Sequence, residues 1–197
     1  LQQPRRISIG AGCLGENCKL FSHLKEKYDA LEEKRRVLLE EIEVCSDAEL
    51  RFQPGPERWS ITMVIEHMLM GERGIRLKGA EVMGETIEAN PSADELFKVV
   101  IDILEKDVPV DVPDPSIEPV GDKKLSDLLD LWDVERKALG KLLEAIAPED
   151  MDKAIASHAV TGPLEPLRTL ELAIAHFDTH HRQICKLREE YKTVKTA

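Results

Sequence analysis

Apolar residues recur at helical spacing through most of this chain, and the pattern breaks at proline and glycine. From about Glu16 to Ile42, the residues Leu20, Leu24, Leu31, Leu38 and Ile42 return mostly at intervals of three, four or seven. That is the stripe of an amphipathic helix. The run Gln53-Pro54-Gly55-Pro56-Glu57 stops any regular element. Ser60 is suited to cap a second helix, whose apolar side carries Ile61, Val64, His67, Met68 and Ile75. Gly71 and Gly74 lie near the same side. A mid-helix glycine costs about 1 kcal/mol relative to alanine, so these two imply close packing or room for a ligand.

Residues 78–91 read as a crossover. Ser92 and Glu95 have capping-box spacing and introduce a helix through Leu96, Val99, Val100, Ile103 and Leu104. Pro109, Pro113, Pro115 and Pro119 then impose a long, partly extended connection. A further helix is predicted over 126–146, with Leu128, Trp132, Leu139 and Leu143 on its apolar surface and Pro148 marking its end. The last helix is predicted from about Pro163, a suitable first-turn proline, through Leu167, Leu170, Ile174, Phe177, Ile184 and Leu187. No strand series and no internal repeat is legible. Four principal helices plus a shorter one predict an all-α bundle. The expected organisation is an irregular extension at 1–15, a single helical unit at 16–192 and a tail at 193–197.

Composition sharpens this picture in two ways. Aromatic residues make up only 4% of the chain, so the core must be mostly aliphatic. The formal net charge is −11, which repels nucleic acid and anionic lipid, and neither is expected as a partner. No run approaches 18 continuous apolar residues, so no membrane span is expected. No secretory leader pattern is legible, and a cytoplasmic location is expected. Cys13 and Cys18 lie in a glycine-rich stretch that reads as a disulfide or as half of a metal clip. No second cysteine pair or nearby histidine completes a closed zinc site, so reduced, non-catalytic cysteines are expected.

The histidines carry the candidate chemistry. His176 and His180 are four residues apart, hence one turn above each other on one helical face, whereas adjacent His181 falls out of that phase. Such a pair alone reads more readily as surface or core histidines than as ligands. His67, on the apolar side of another helix, strengthens the metal reading: three imidazoles meet if the two helices pack together. Three nitrogens leave one or more positions open on a divalent ion, the arrangement of catalytic rather than structural sites. His158, before Thr161-Gly162-Pro163, is expected to hydrogen-bond or be exposed rather than to ligate. Glu66-His67 lacks the second histidine of a His-Glu-x-x-His motif, and no phosphate loop or nucleophile elbow is present.

Two segments resemble a known family. Arg58-Trp59-Ser60-Ile61 followed by Val64-Ile65-Glu66-His67-Met68 resembles the start of the second helix in the DinB/YfiT-like superfamily. His176-Phe177-Asp178-Thr179-His180-His181-Arg182-Gln183-Ile184 resembles its C-terminal His-x-x-x-His followed by Arg-Gln-Ile, with Gly162-Pro163-Leu164 resembling the approach to that helix. The resemblance spans roughly Phe21 to Leu187. It implies a four-helix bundle with a long crossover, a tendency to dimerise, and His67, His176 and His180 as metal ligands. The implied ion is zinc, slightly preferred for its tolerance of low coordination, or nickel or iron. The proline-rich connection and the cysteine-containing N-terminus depart from the family pattern.

Two functions follow as expectations. One is a divalent-metal-dependent transferase or hydrolase acting on a small molecule, with a low-molecular-weight thiol as partner. The alternative is a non-catalytic, metal-stabilised binding or stress-associated protein, which predicts a narrow or blocked pocket. A plain interaction bundle would treat the histidine phasing as accidental.

Overall fold

A computed structural model describes residues 16–88, 90–106 and 114–196. The extension at 1–15, with Cys13, and the part of the proline-rich connection holding Pro109 and Pro113 lie outside these residues. Six helices follow in order: α1 (Glu16–Glu43), α2 (Asp47–Leu50), α3 (Ile61–Gly79), α4 (Pro91–Glu105), α5 (Leu125–Ala145) and α6 (Pro166–Thr196). Helix α1 packs along α6, α3 packs against both α5 and α6, and α4 leans on α6. The four long helices form the expected all-α bundle, and α4 and residues 114–124 stand between α3 and α5 in the chain. Helix α6 continues to Thr196, through the stretch read as a tail.

The apolar stripes meet in one core. Leu31 and Leu38 of α1, Ile61 and Ile65 of α3, Leu128 of α5 and Ile184 of α6 are fully buried within it. Leu96 and Val99 are an exception. They share the apolar face of α4 but are 45% and 52% exposed, because that face borders a cavity rather than the core.

Local chemistry explains where the helices begin. Ser60 caps α3, its hydroxyl accepting from the Met63 amide at 3.3 Å. Helix α4 starts one residue before the expected Ser92 box. Asn90 is its cap, accepting from the Ser92 and Ala93 amides at 3.1 and 3.3 Å. Pro91 takes the first helical position, where its missing N–H costs nothing. Glu95 pairs with Lys98 instead of reaching back to a cap.

The last helix also starts later than predicted, at Pro166 rather than Pro163. Gly162–Leu164 forms a strand, β2, paired antiparallel with β1 (Ala156–His158), so a short hairpin stands where no strand was expected. Pro163 is tolerated there because both strands of a two-stranded ribbon are edges, where alternate amides face away from the partner strand. The hairpin docks flush on the end of α3. A Cβ at Gly79 would lie 2.4 Å from the Ile155 carbonyl oxygen, so only glycine permits that approach. Among the described residues no helix is long and apolar enough to cross a membrane.

One group of charged side chains is built around a core tryptophan. Trp132 is fully buried, with the guanidinium groups of Arg35 and Arg136 5.1 and 5.7 Å from its ring centre. Its Nε1 donates to Glu72 Oε2 at 3.0 Å, and Arg136 Nη2 donates to Glu72 Oε1 at 2.7 Å. Burial pushes the Glu72 carboxyl up, opposed by the charge of Arg136 and the Trp132 hydrogen bond.

Candidate metal centre

Packing of α3 on α6 brings His67 against His176 and His180. His176 Nε2 lies 3.2 Å from His67 Nε2 and 3.1 Å from His180 Nε2. One ligand nitrogen from each of the three lies within 4.8 Å of the others, a group able to hold a metal ion. Trp59, just before the α3 cap, packs its ring 4.8 Å from His67 and 6.5 Å from His180, centre to centre.

The outer nitrogens are held by the protein. His67 Nδ1 is 2.8 Å from the Ile117 carbonyl oxygen. A carbonyl only accepts, so Nδ1 carries the proton and Nε2 presents a lone pair. His180 Nδ1 is 2.8 Å from Gln183 Oε1, which sets the same tautomer. His176 Nε2 has at most one proton to offer two lone pairs. One of the two short contacts is therefore lone pair against lone pair, which is repulsive unless a cation lies between. Protonation does not supply that cation. Burial, and then the neighbouring His180 and His67, drive the His176 imidazole well below its ordinary value; burial also lowers His67.

The donor set fits a divalent metal. Bonds of about 2.0–2.1 Å to imidazole nitrogen imply nitrogen–nitrogen separations of about 3.3–3.4 Å in a tetrahedron and about 2.9–3.0 Å in an octahedron. The observed 3.1 and 3.2 Å lie between the two. The nitrogens face a cavity of about 1040 Å³. One wall is the apolar face of α4, with Val99, Val100, Ile103 and Leu104, and Leu139 and Leu142 of α5 stand in it as well.

The crossover contributes more than its sequence suggested. A single 3₁₀ turn at Pro115–Ile117 places the Ile117 carbonyl on His67. Asp114 caps that turn, accepting from the Ser116 amide at 2.9 Å, and Lys78 of α3 pins the Asp114 carboxylate and holds it well below the usual carboxylate range. Gln183, one turn beyond His180, was not singled out as a partner in the sequence, although its helical spacing could have found it. Ile117 could not be found that way, because a carbonyl fifty residues from His67 leaves no side-chain signal.

The remaining histidines separate cleanly. His181 turns out of the triad and its Nε2 meets Glu41 Oε2 of α1 at 2.9 Å. His158 lines the cavity from β1, and its Nδ1 accepts from the Val160 amide at 3.4 Å, consistent with the hydrogen-bonding role expected of it. His23 is exposed. Glu66 beside His67 is fully buried and points elsewhere, accepting from the Gly121 amide at 2.8 Å and pairing with Lys123.

Gly71 proves to be a packing residue. A Cβ there would sit 3.3 Å from His176 Cε1. Gly71→Ala should therefore act with opposite signs on two measurements. Helix propensity raises the melting temperature of the metal-free protein, by up to about 1 kcal/mol of stability. The displaced imidazole lowers metal affinity by about tenfold, comparable to the loss of an outer-shell partner. A calorimetric titration beside a metal-free melt reads both.

The buried imidazoles also set a pH dependence. Their folded-state pKa values lie below the unfolded value of about 6.5, so the unfolded chain binds more protons at mildly acid pH. Stability of the metal-free protein is full above about pH 6.5 and falls as the pH drops below it. Urea melts between about pH 7.5 and 5.5 should show this slope, and His176→Ala should flatten it.

A family model described as the DinB superfamily matches residues 30–184 of the chain. Among solved structures, the chain is similar to YfiT from Bacillus subtilis, described as "a probable metal-dependent hydrolase with an unusual four-helix bundle topology". The two are 17% identical over 97% of this chain and 94% of that one, with a TM-score of 0.47. None of the curated proteins compared matches this chain.

Proposed function

We propose that this chain, which belongs to the DinB superfamily, is a divalent-metal-dependent enzyme that acts on a small molecule at His67, His176 and His180. The observation that carries this reading is the open cavity ending on three converging imidazole nitrogens. A purely metal-stabilised protein would need no such space above its ion, and the narrow pocket it predicts is not what the helices enclose.

In this reading the three Nε2 atoms hold the ion, and the bound ion supplies Lewis acidity and activation of water or a thiol. Zinc is preferred, with nickel and iron as alternatives. Ile117 and Gln183 lock two of the three ligands in the binding tautomer. The α4 wall excludes water and takes the apolar part of a substrate. His158 accepts from the Val160 amide at Nδ1, so its neutral ring carries its proton on Nε2 and offers a donor to the cavity. Space for two reactants favours a thiol-dependent transfer to an electrophile over simple hydrolysis.

The test uses protein purified without chelators, assayed for thiol transfer to model electrophiles and for ester and amide hydrolysis. Turnover that disappears on chelation and returns with zinc or nickel is the expected result. Full metal occupancy with no turnover in either screen would replace the proposal with the non-catalytic reading.

A further inference from the structure

We infer that Glu41, His181 and Cys185 form a second divalent-cation site, which takes a zinc-class ion and ties the end of α1 to α6. His181 and Cys185 are four residues apart on α6, the same one-turn spacing as His176 and His180. The second pair begins five residues later, which carries it ~140° around the helix at 100° per residue. It therefore faces α1 rather than the cavity, and none of its three residues lines that cavity. Glu41 comes from the last turn of α1. One ligand atom from each residue lies within 4.8 Å of the other two, and His181 Nε2 is already 2.9 Å from Glu41 Oε2. The edge of the His181 ring meets Phe177, 6.1 Å between centres, which restricts how the imidazole turns.

The donor set differs in kind from the central one. Oxygen, nitrogen and sulfur together suit a borderline ion, and sulfur disfavours magnesium and calcium. A carboxylate and a thiolate bring two negative charges to a divalent ion, whereas the central imidazoles bring none. On binding, Cys185 releases its thiol proton to solvent, and the proton on the ligating nitrogen of His181 passes to its other ring nitrogen. Cys185 is exposed, so the ion enters without any opening of the bundle. Arg188 opposes the site weakly. It stands 3.9 Å from Glu41 but 3.2 Å from Glu49, and keeps Glu49 as its partner when Glu41 turns to the ion.

Cobalt(II) is the probe, titrated into the full, reduced chain. Two equivalents should bind, the second bringing a thiolate-to-cobalt charge-transfer band in the near ultraviolet. The central histidines cannot produce that band. Cys185→Ser and His181→Ala should each lose the band and weaken the second equivalent by more than about tenfold. Both should keep the first equivalent and the helical circular dichroism, which confirms folding. Cys45→Ser, whose sulfur donates to the Glu41 carbonyl and is not one of the three ligands, should keep both equivalents. His67→Ala removes the central ion and leaves the band, so failure of one site is separable from failure of the other. Saturation at one equivalent, a second equivalent without the band, or a band that survives Cys185→Ser would each overturn the inference.

Discussion

Replacing His176 with alanine should empty the central site. His176 Nε2 lies 3.2 and 3.1 Å from the Nε2 atoms of His67 and His180. Losing an outer-shell partner of a metal ligand costs about 10- to 100-fold in affinity. Losing the central ligand itself should cost more than about 100-fold, so after purification the central site falls from full occupancy to a trace and the metal content drops by one equivalent. Gln183→Leu removes only the acceptor that holds His180 and should fall in the 10- to 100-fold range. His181→Ala should retain the central ion, because its ring faces Glu41. Elemental analysis of the three variants beside the parent ranks them, and full occupancy in His176→Ala would refute the ligand assignment.

Arg136→Met should be the most destabilising of the conservative core changes. It strips the largely buried Glu72 carboxylate, and the more exposed Glu32, of a buried guanidinium while methionine fills much of the vacated volume. Breaking a buried ion pair from one side costs about 3–5 kcal/mol. At about 2–4 °C per kcal/mol for a chain of this size, the melting temperature falls by roughly 6–20 °C. The deficit should depend on pH with a definite sign. Burial raises the Glu72 pKa in the folded state, and without Arg136 only the Trp132 hydrogen bond and the Arg35 charge oppose that rise. The folded variant then binds more protons than the unfolded chain, so its stability falls as the pH climbs above the usual carboxylate range. Adding Glu72→Gln to Arg136→Met should recover part of the loss and remove the pH slope. A single variant as stable as the parent at neutral pH would show that the pair contributes nothing to the fold.

Much of the bundle was readable from one residue to the next. The apolar stripe of α1, the Ser60 cap and the span of α5 depend on local periodicity and on a single capping hydroxyl, and the structure places them within a residue of expectation. The two misplaced helix starts share a cause. Beside each predicted start the chain carries a second local signal that the prediction passed over, Asn90 with Pro91 next to Ser92 and Pro166 next to Pro163. Pro163 lost because its segment pairs with β1, a partner that docks only where Gly79 lets the backbone approach. The apolar face of α4 was also legible, but not that it would face a cavity.

The site divides in the same way. Helical phase alone separated His180 from His181, because 3.6 residues per turn puts one beside His176 and swings the other away. Which helix would supply a third imidazole, and which carbonyl would fix its tautomer, depended on packing. Ile117 reaches His67 only because the 3₁₀ turn is capped by Asp114 and pinned to α3 by Lys78. Periodicity is a property of neighbouring residues and survives in the sequence. The facing of two lone pairs across a gap of about 3 Å is a property of the folded chain, decided only when α3, α6 and the crossover close on one another.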